Sequence, residues 1–457
     1  MNGPYARQTS AAGETGRHRN AHLIQGLLFL LAALLLSAAT AEARPRAWVK
    51  AATIRAENPR RAEEWLVLPF AFSTDSMGFT AGVGGIAKGY GQEQLIVGGA
   101  AWASADDAVG GVLGLWDYRL PRTERLFFTT VGSAGYYPRK RAYTFPFTPP
   151  GAVRPGSNDS DEDAYVESGG VDNWFDLQLE YVLPIGAARD SGAAEYRLMG
   201  GLLQSGATGG QAWNPLKSGI TNLMIRQFNR YQDYETDFGT FDRTIHALEM
   251  AIYYNNTDFP TNPSYGSTQY LAVKRDFAWL DSDQTWTFVE FEASKYYALP
   301  PTDWARQRVL AANVWVGDTP SWEEGIDAAG NTVVTDRPPY YEGARLGGLY
   351  RMRAYPQYRF NGRSVVYATL EYRYTPHWNP LGNISWLRFL KTDWWQFVGF
   401  VEGGRVADEF SASELLTDWK VDAGLAVRAL MAGTVVRLDV GFSDEGVGVW
   451  VMAGHPF

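Results

Sequence analysis

Few side chains in this sequence are equipped for covalent or acid–base chemistry. Cysteine is absent, so thiolate nucleophiles, disulfides and thiolate metal sites are all excluded. Beyond residue 43 only three histidines occur, His246, His377 and His455, and a hydrolase using a Ser or Asp companion would need one of them as its base. Of these, only His246 falls toward the outer half of the element order set out below, and its Ser and Asp companions are loose. No Gly-rich phosphate loop and no His/Asp/Glu cluster with metal-ligand spacing stands out, so no metal and no cofactor is expected. One stretch is different. RLGGLYRMRAYPQYRF, residues 345–360, carries four arginines, four aromatic residues, an adjacent glycine pair and a proline. It is too polar for a lipid-facing strand, too aromatic for a plain solvated loop, and it fits no catalytic motif.

The elements that must position this stretch alternate with a period of two. In WFDLQLEYV, Phe175, Leu177, Leu179 and Tyr181 share one face, with Asp176, Gln178 and Glu180 on the other. SVVYATLEYRY and WKVDAGLAVRAL repeat the pattern, with Thr369, Glu371 and Arg373, then Lys420, Asp422 and Arg428, on the polar side. Strands are expected near 64–72, 78–87, 94–104, 109–119, 125–136, 173–184, 194–205, 240–254, 266–278, 284–298, 306–316, 363–375, 394–404, 419–430, 434–443 and 447–457. Sixteen is an even number, as an antiparallel transmembrane β-barrel with both ends on the periplasmic side requires. A closed barrel also satisfies every backbone group within lipid. Long links at 137–172, 205–239 and 317–362 then fall outside, and MAG at 431–433 is an inner turn. The inner link 376–393 is long and amphipathic, with Trp378, Trp386 and Leu390 suited to the membrane interface.

Composition agrees with an all-β membrane chain. Aromatic residues make up 14% of the sequence and charged residues 20%, and no segment holds the ~18 uninterrupted apolar residues of a spanning helix. The formal charge of −9 argues against nucleic acid as a partner. Residues 1–43 read as a signal peptide: Arg17, His18 and Arg19 precede an apolar run from Leu27 to Leu36, and ATAEA offers cleavage after Ala41 or Ala43. Residues 44–63 form a short periplasmic segment, and 64–457 form the barrel. Pro69 in the first strand and Pro456 in the last each lack a ladder donor, and the two strands must pair to close the barrel, so a weak seam is expected. Phe457 supplies a terminal aromatic residue of the kind that closes bacterial outer-membrane barrels.

With the strands in order, PYYEGARLGGLYRMRAYPQYRFNGRSVVYATLEYRY resembles the BamA/TamA barrel superfamily, also called the bacterial surface-antigen family. The resemblance implies that the sixth outer loop folds into the lumen and docks an Arg-Gly-Phe/Tyr tip on the inner wall. Arg353, Ala354 and Tyr355 stand at that tip. Ala354 replaces the family glycine, and its Cβ disfavours positive φ. The strand-12 glutamate would be Glu371, and the Phe-x-Asp-x-Gly pattern of strand 13 would be Phe400, Glu402 and Gly404, with Glu in place of Asp. Arg353 would bridge the two carboxylates, for which a planar guanidinium fork is suited. NNTDFPTNPSYG, LPFAFSTDSMGFTAGVGG and VVRLDVGFSDEG resemble further parts of the same barrel.

The periplasmic POTRA domains of ~75 residues that many relatives carry have no room between Arg44 and Glu63. The resemblance therefore implies a barrel-only member in the bacterial outer membrane. Such a protein would assist insertion or translocation of proteins or lipids, with outer-membrane lipid, protein clients and a separate POTRA-bearing or chaperone protein as partners. A passive channel is the alternative reading, and an outer-membrane lipid hydrolase acting through His246 is a third.

Overall fold

The computed structural model describes residues 48–55, 63–74, 77–210, 212–236, 239–300, 302–379 and 389–457. The expected signal peptide and Trp386 lie outside these residues. One antiparallel sheet of sixteen strands dominates. In chain order its strands are β1 (Glu64–Thr74), β2 (Gly78–Lys88), β3 (Ile96–Ser104), β4 (Val109–Arg119), β5 (Leu126–Ala142), β6 (Val166–Val182), β7 (Ile220–Thr236) and β8 (Gly239–Asn255). They continue as β9 (Gly266–Phe277), β10 (Thr285–Ala298), β11 (Ala305–Asp318), β12 (Ser364–Pro376), β13 (Thr392–Ala407), β14 (Lys420–Met431), β15 (Thr434–Ser443) and β16 (Gly446–Ala453). Each strand pairs with its neighbour in sequence, so the sheet is a continuous meander. Trp48 and Phe457 lie at one end, here termed proximal.

The two faces of the strands have exchanged the environments they would have in a soluble sandwich. Phe175, Leu177, Leu179 and Tyr181 are each more than 40% exposed, whereas Gln178 and Glu180 beside them are buried. The same holds along β12 and β14, where Leu370, Val421 and Leu425 face outward and Glu371, Asp422 and Arg428 are buried. A sheet that hides its charges and shows its aliphatics has hydrocarbon as its outer solvent. Tyr265, Tyr297, Trp304 and Trp378 add exposed rings toward the proximal rim, the position of an aromatic girdle.

Two expectations change. Residues 194–205 are not the seventh strand of the large sheet. They form a hairpin, Ala194–Met199 with Leu202–Ser205, in a separate three-stranded sheet with Ala51–Arg55. The seventh strand is Ile220–Thr236, so the long link runs proximally between Val182 and Ile220, and the expected outer loop 205–239 is largely strand. The cause is physical: of the outward positions of β7, Leu223 and Ile225 are apolar but Gln227 and Asn229 are not, so its alternation is masked. The distal links after β5 and β11 are long, as expected, at 143–165 and 319–363.

Where the two ends of the sheet meet, no ladder joins β1 to β16 among the described residues. Contact is made by side chains instead. Leu66 and Leu68, on the buried alternate of β1, pack with Leu390, Trp395, Ala429, Met431 and Val436, and Val427 and Val451 border the same cluster. Val427 and Ala429 continue the outward alternate of Val421 and Leu425, and Val451 that of Val447 and Val449. The inner side of β1 therefore laps over the outer side of the last strands at the proximal end. Lys88 Nζ donates to Gly433 O at 3.0 Å across this joint. Leu390, expected at the membrane interface, is buried in the joint. Pro69 does sit in β1, opposite Val83. Pro456 and Phe457 do not belong to the seam: β16 ends at Ala453, Gly454 turns with φ of 83°, and the Phe457 ring stacks on Tyr296 of β10 at 6.3 Å beside Val309 and Ala311.

Candidate functional site

The stem of the 345–360 stretch is a short antiparallel pair, Ala344–Leu346 with Phe360–Gly362. Directly after it, Gly347 and Gly348 take φ of 102° and 105°, and a Cβ on Gly347 would stand 2.2 Å from Pro356 O. Only glycine accommodates both demands. The reversal sends the tip onto the buried face of β12 to β16. Leu346, Met352, Ala354, Tyr355, Tyr358 and Phe360 join the principal apolar cluster there, with Phe228 of β7, Trp286 and Phe288 of β10 and Trp315 of β11.

Arg353 is fully buried, and its charge is answered on three sides. Its Nη2 lies 3.0 Å from Glu371 Oε1 and 2.9 Å from Glu402 Oε1, and its Nη1 donates to Asp439 Oδ2 at 3.0 Å. Its backbone N–H donates to Glu402 Oε2 at 2.7 Å, so Glu402 holds side chain and backbone together. The guanidinium carbon also stands 3.6 Å from the centre of the Phe400 ring, within cation–π range. Gly404 completes the expected set in a different way, because a Cβ there would meet Leu346 Cδ1 at 2.9 Å; it makes room for the stem. Tyr355 donates its hydroxyl to Asp444 Oδ1 at 2.7 Å, in the distal turn between β15 and β16, and that bond holds the Asp444 carboxyl below its ordinary range.

The alanine at the tip fits because the unusual backbone lies elsewhere. Positive φ falls at Met352 (57°), not at Ala354. The Ala354 N–H donates to Asp422 Oδ2 at 2.9 Å.

Several participants escape sequence reasoning. Arg428 and Arg373 both donate to Glu371, at 2.7 and 2.8 Å, and Arg437 pairs with Asp439. Counting Arg353, four guanidinium groups meet the three carboxylates of Glu371, Glu402 and Asp439, while Asp422 is engaged by the tip backbone. Pairing of this kind is what allows charge to remain buried at all. Tyr367 donates to Glu402 Oε1 at 2.6 Å. Gly441 and Gly448, paired across β15 and β16, form a bare patch under the tip: a Cβ on Gly448 would stand 2.1 Å from Arg353 O. Trp450 Nε1 donates to that same carbonyl at 2.6 Å. The alternation of WKVDAGLAVRAL places Asp422 and Arg428 on the correct face, but only the strand register brings them beside Arg353.

Among the described residues, none of the three histidine rings hydrogen-bonds a nucleophilic hydroxyl. His246 bonds Asn229 and Asp281, both at 2.6 Å, while the neighbouring Ser282 donates to Asp276. His377 faces Thr302 O, and His455 faces Arg428.

The family model described as the Omp85 superfamily domain matches residues 195–446, more than half of the chain. Among solved structures the chain is similar to CdiB from Escherichia coli, with a TM-score of 0.51 and 12% identity over 84% of this chain and 61% of that one. It is also similar to CdiB from Acinetobacter baumannii (TM-score 0.46, 11% identity, 86% and 58% covered). A third is BamA from Haemophilus ducreyi lacking POTRA domains 1–3 (TM-score 0.43, 11% identity, 86% and 69% covered). The chain thus spans about three fifths of the two CdiB chains. At these identities the likeness to Escherichia coli CdiB is one of fold. No curated protein matches the sequence.

Proposed function

The chain belongs to the Omp85 superfamily, and from that premise we propose that it assists insertion or translocation of proteins, or of lipids, at the bacterial outer membrane in which its barrel is embedded. In this reading the proximal end faces the periplasm, residues 1–43 are a cleaved export signal, and the 345–360 stretch is the sixth outer loop folded into the lumen as a strut. A separate POTRA-bearing or chaperone protein delivers clients.

The observation that carries the reading is the Arg353 site. A loop tip fixed by three carboxylates from β12, β13 and β15, and seated on a glycine pair of β15 and β16, fills interior space that a solute path would need. A passive channel keeps that space open. The deciding experiment joins two readouts on purified protein. Small flickering bilayer currents, with photocrosslinks from β1 and β16 to outer-membrane protein clients, support the assembly role. A large steady current without client crosslinks overturns it in favour of a channel. Among the described residues none of the three histidine rings bonds a Ser or Thr hydroxyl, so no observed geometry favours the hydrolase reading.

A further inference from the structure

The structure assigns a strand-acceptor site at the proximal mouth of the barrel, occupied by the chain's own residues 49–55, and this acceptor and its occupant together shut that mouth. The inference goes beyond the assembly role and stands on a different region.

The acceptor is the hairpin Ala194–Met199/Leu202–Ser205, carried on the long link between β6 and β7. Its base is tied beside those strands, where Ala187 N donates to Gly219 O at 2.8 Å. Its tip reaches strands half the sheet away. Gly200 O accepts from Arg306 Nη2 at 3.0 Å, and Gly201 O from Trp394 Nε1 at 3.0 Å. Leu202 packs against Trp394, Leu430 and Val435. Strand β7 is seventh and β13 thirteenth in a sheet of sixteen, so a hairpin rooted at one and pinned at the other crosses the opening. Gly200 and Gly201 make the turn with φ of 51° and 74°.

The outer edge of Ala194–Met199 is taken by Ala51–Arg55 in parallel, from Ala51 opposite Ala194 to Arg55 opposite Leu198. Five residues of parallel ladder hold little on their own, because parallel pairing is the weaker kind and short sheets are marginal. The hold comes from the two ends. Lys50 is fully buried, with Nζ 2.6 Å from Asp117 Oδ1 and 2.5 Å from Glu180 Oε1. Asn222 Nδ2 donates to Trp48 O at 2.7 Å, fixing the backbone just ahead of it. At the other end Arg55 donates to Glu64 Oε1 at 2.8 Å and also pairs with Asp393, so it ties β1 to β13. Val49 packs with Phe127, Val182, Tyr196 and Leu198.

The site therefore selects an extended segment with a lysine at its start, small residues along the ladder and an arginine five places on. Lys50 cannot leave without giving up two buried ion pairs, so the occupant is specific rather than adventitious. Withdrawal of residues 49–55 leaves the hairpin held only at its base and its tip, with one edge bare.

The absence of cysteine makes a direct test available. The full chain carrying Ala51→Cys and Ala194→Cys is oxidised in planar bilayers while current is recorded. We expect rapid crosslinking, with the oxidised form silent. Lys50→Met should slow the crosslink and raise the open fraction by at least about tenfold. A peptide of residues 48–55 added on the proximal side should restore closure, and the same peptide with Met for Lys should not. Failure of the folded double-cysteine protein to crosslink overturns the occupancy. Unchanged currents and crosslinking rates in Lys50→Met overturn the role of the lysine anchor. If Lys50→Met does not fold, Leu202→Cys with Val435→Cys tests the lid from its other end: locking that pair must abolish opening, and openings that persist overturn the lid.

Discussion

Two segments outside the sixteen-stranded sheet pack against it, one toward each end, and they are held in opposite ways. At the distal end the 345–360 tip has no ladder beyond its three-residue stem; charge and shape hold it, through Arg353, its three carboxylates and the Gly441–Gly448 patch. At the proximal end the 51–55 strand runs along a short parallel ladder that is weak on its own, and Lys50 and Arg55 fasten its two ends. Backbone pairing accepts almost any side chain, whereas a buried cluster of four guanidinium groups on three carboxylates accepts almost no change. The distal site should therefore be the rigid one, and the proximal site the one that exchanges.

This contrast can be broken by substitution. The largest effect belongs to Arg353→Ala, which leaves Glu402 with no arginine partner, takes one from each of Glu371 and Asp439, and should cost on the order of 3–5 kcal/mol, read as a lowered urea midpoint of the folded barrel. Equal stability of this variant and the parent would mean that the charges are hydrated and the tip is not locked. Next comes Gly448→Val, which overlaps Arg353 O and should cost about 1–3 kcal/mol by overpacking, while Gly399→Ala, with open space around it, should stay within about 0.5 kcal/mol. Ala354→Gly restores the residue common in the family, yet it should destabilise by about 0.5–1 kcal/mol, because no positive φ needs relief and the unfolded chain gains freedom. A measured gain would place strain at Ala354 after all. Smallest is Arg55→Ala, whose partly exposed pairs with Glu64 and Asp393 should contribute less than about 1 kcal/mol; a loss rivalling that of Arg353→Ala would erase the contrast between the two ends.

The sequence makes the sheet legible wherever the outward face is uniformly apolar, as in β6, β12 and β14. It fails at β7, where Gln227 and Asn229 occupy outward positions, and there the eye moves to YRLMGGLLQ, whose alternation and glycine turn describe a real hairpin of the wrong kind. Length was the available discriminator, since each of its strands has six residues or fewer. At the site, Arg353, Glu371, Phe400, Glu402 and Gly404 do come together, at positions the family resemblance suggested. Asp439, Arg437 and Gly448 are ordinary residues of an inner wall until register sets them beside the tip, and register is not written in alternation. The proximal lid depends on contact between residue 50 and residues 117 and 180, which no local pattern encodes.

The lapped joint between β1 and the last strands has a consequence for work. Pulling apart a hydrogen-bonded edge in lipid exposes donors and acceptors one after another, and each exposure is costly. Sliding Leu66 and Leu68 off Val436 and Val451 exchanges one aliphatic neighbour for another, because acyl chains solvate leucine as well as valine does. The joint is thus a bearing rather than a weld: its resistance comes from friction of packed side chains and from the Arg55 and Lys88 ties at its proximal margin, so the circumference of this barrel can adjust without a ladder first being broken.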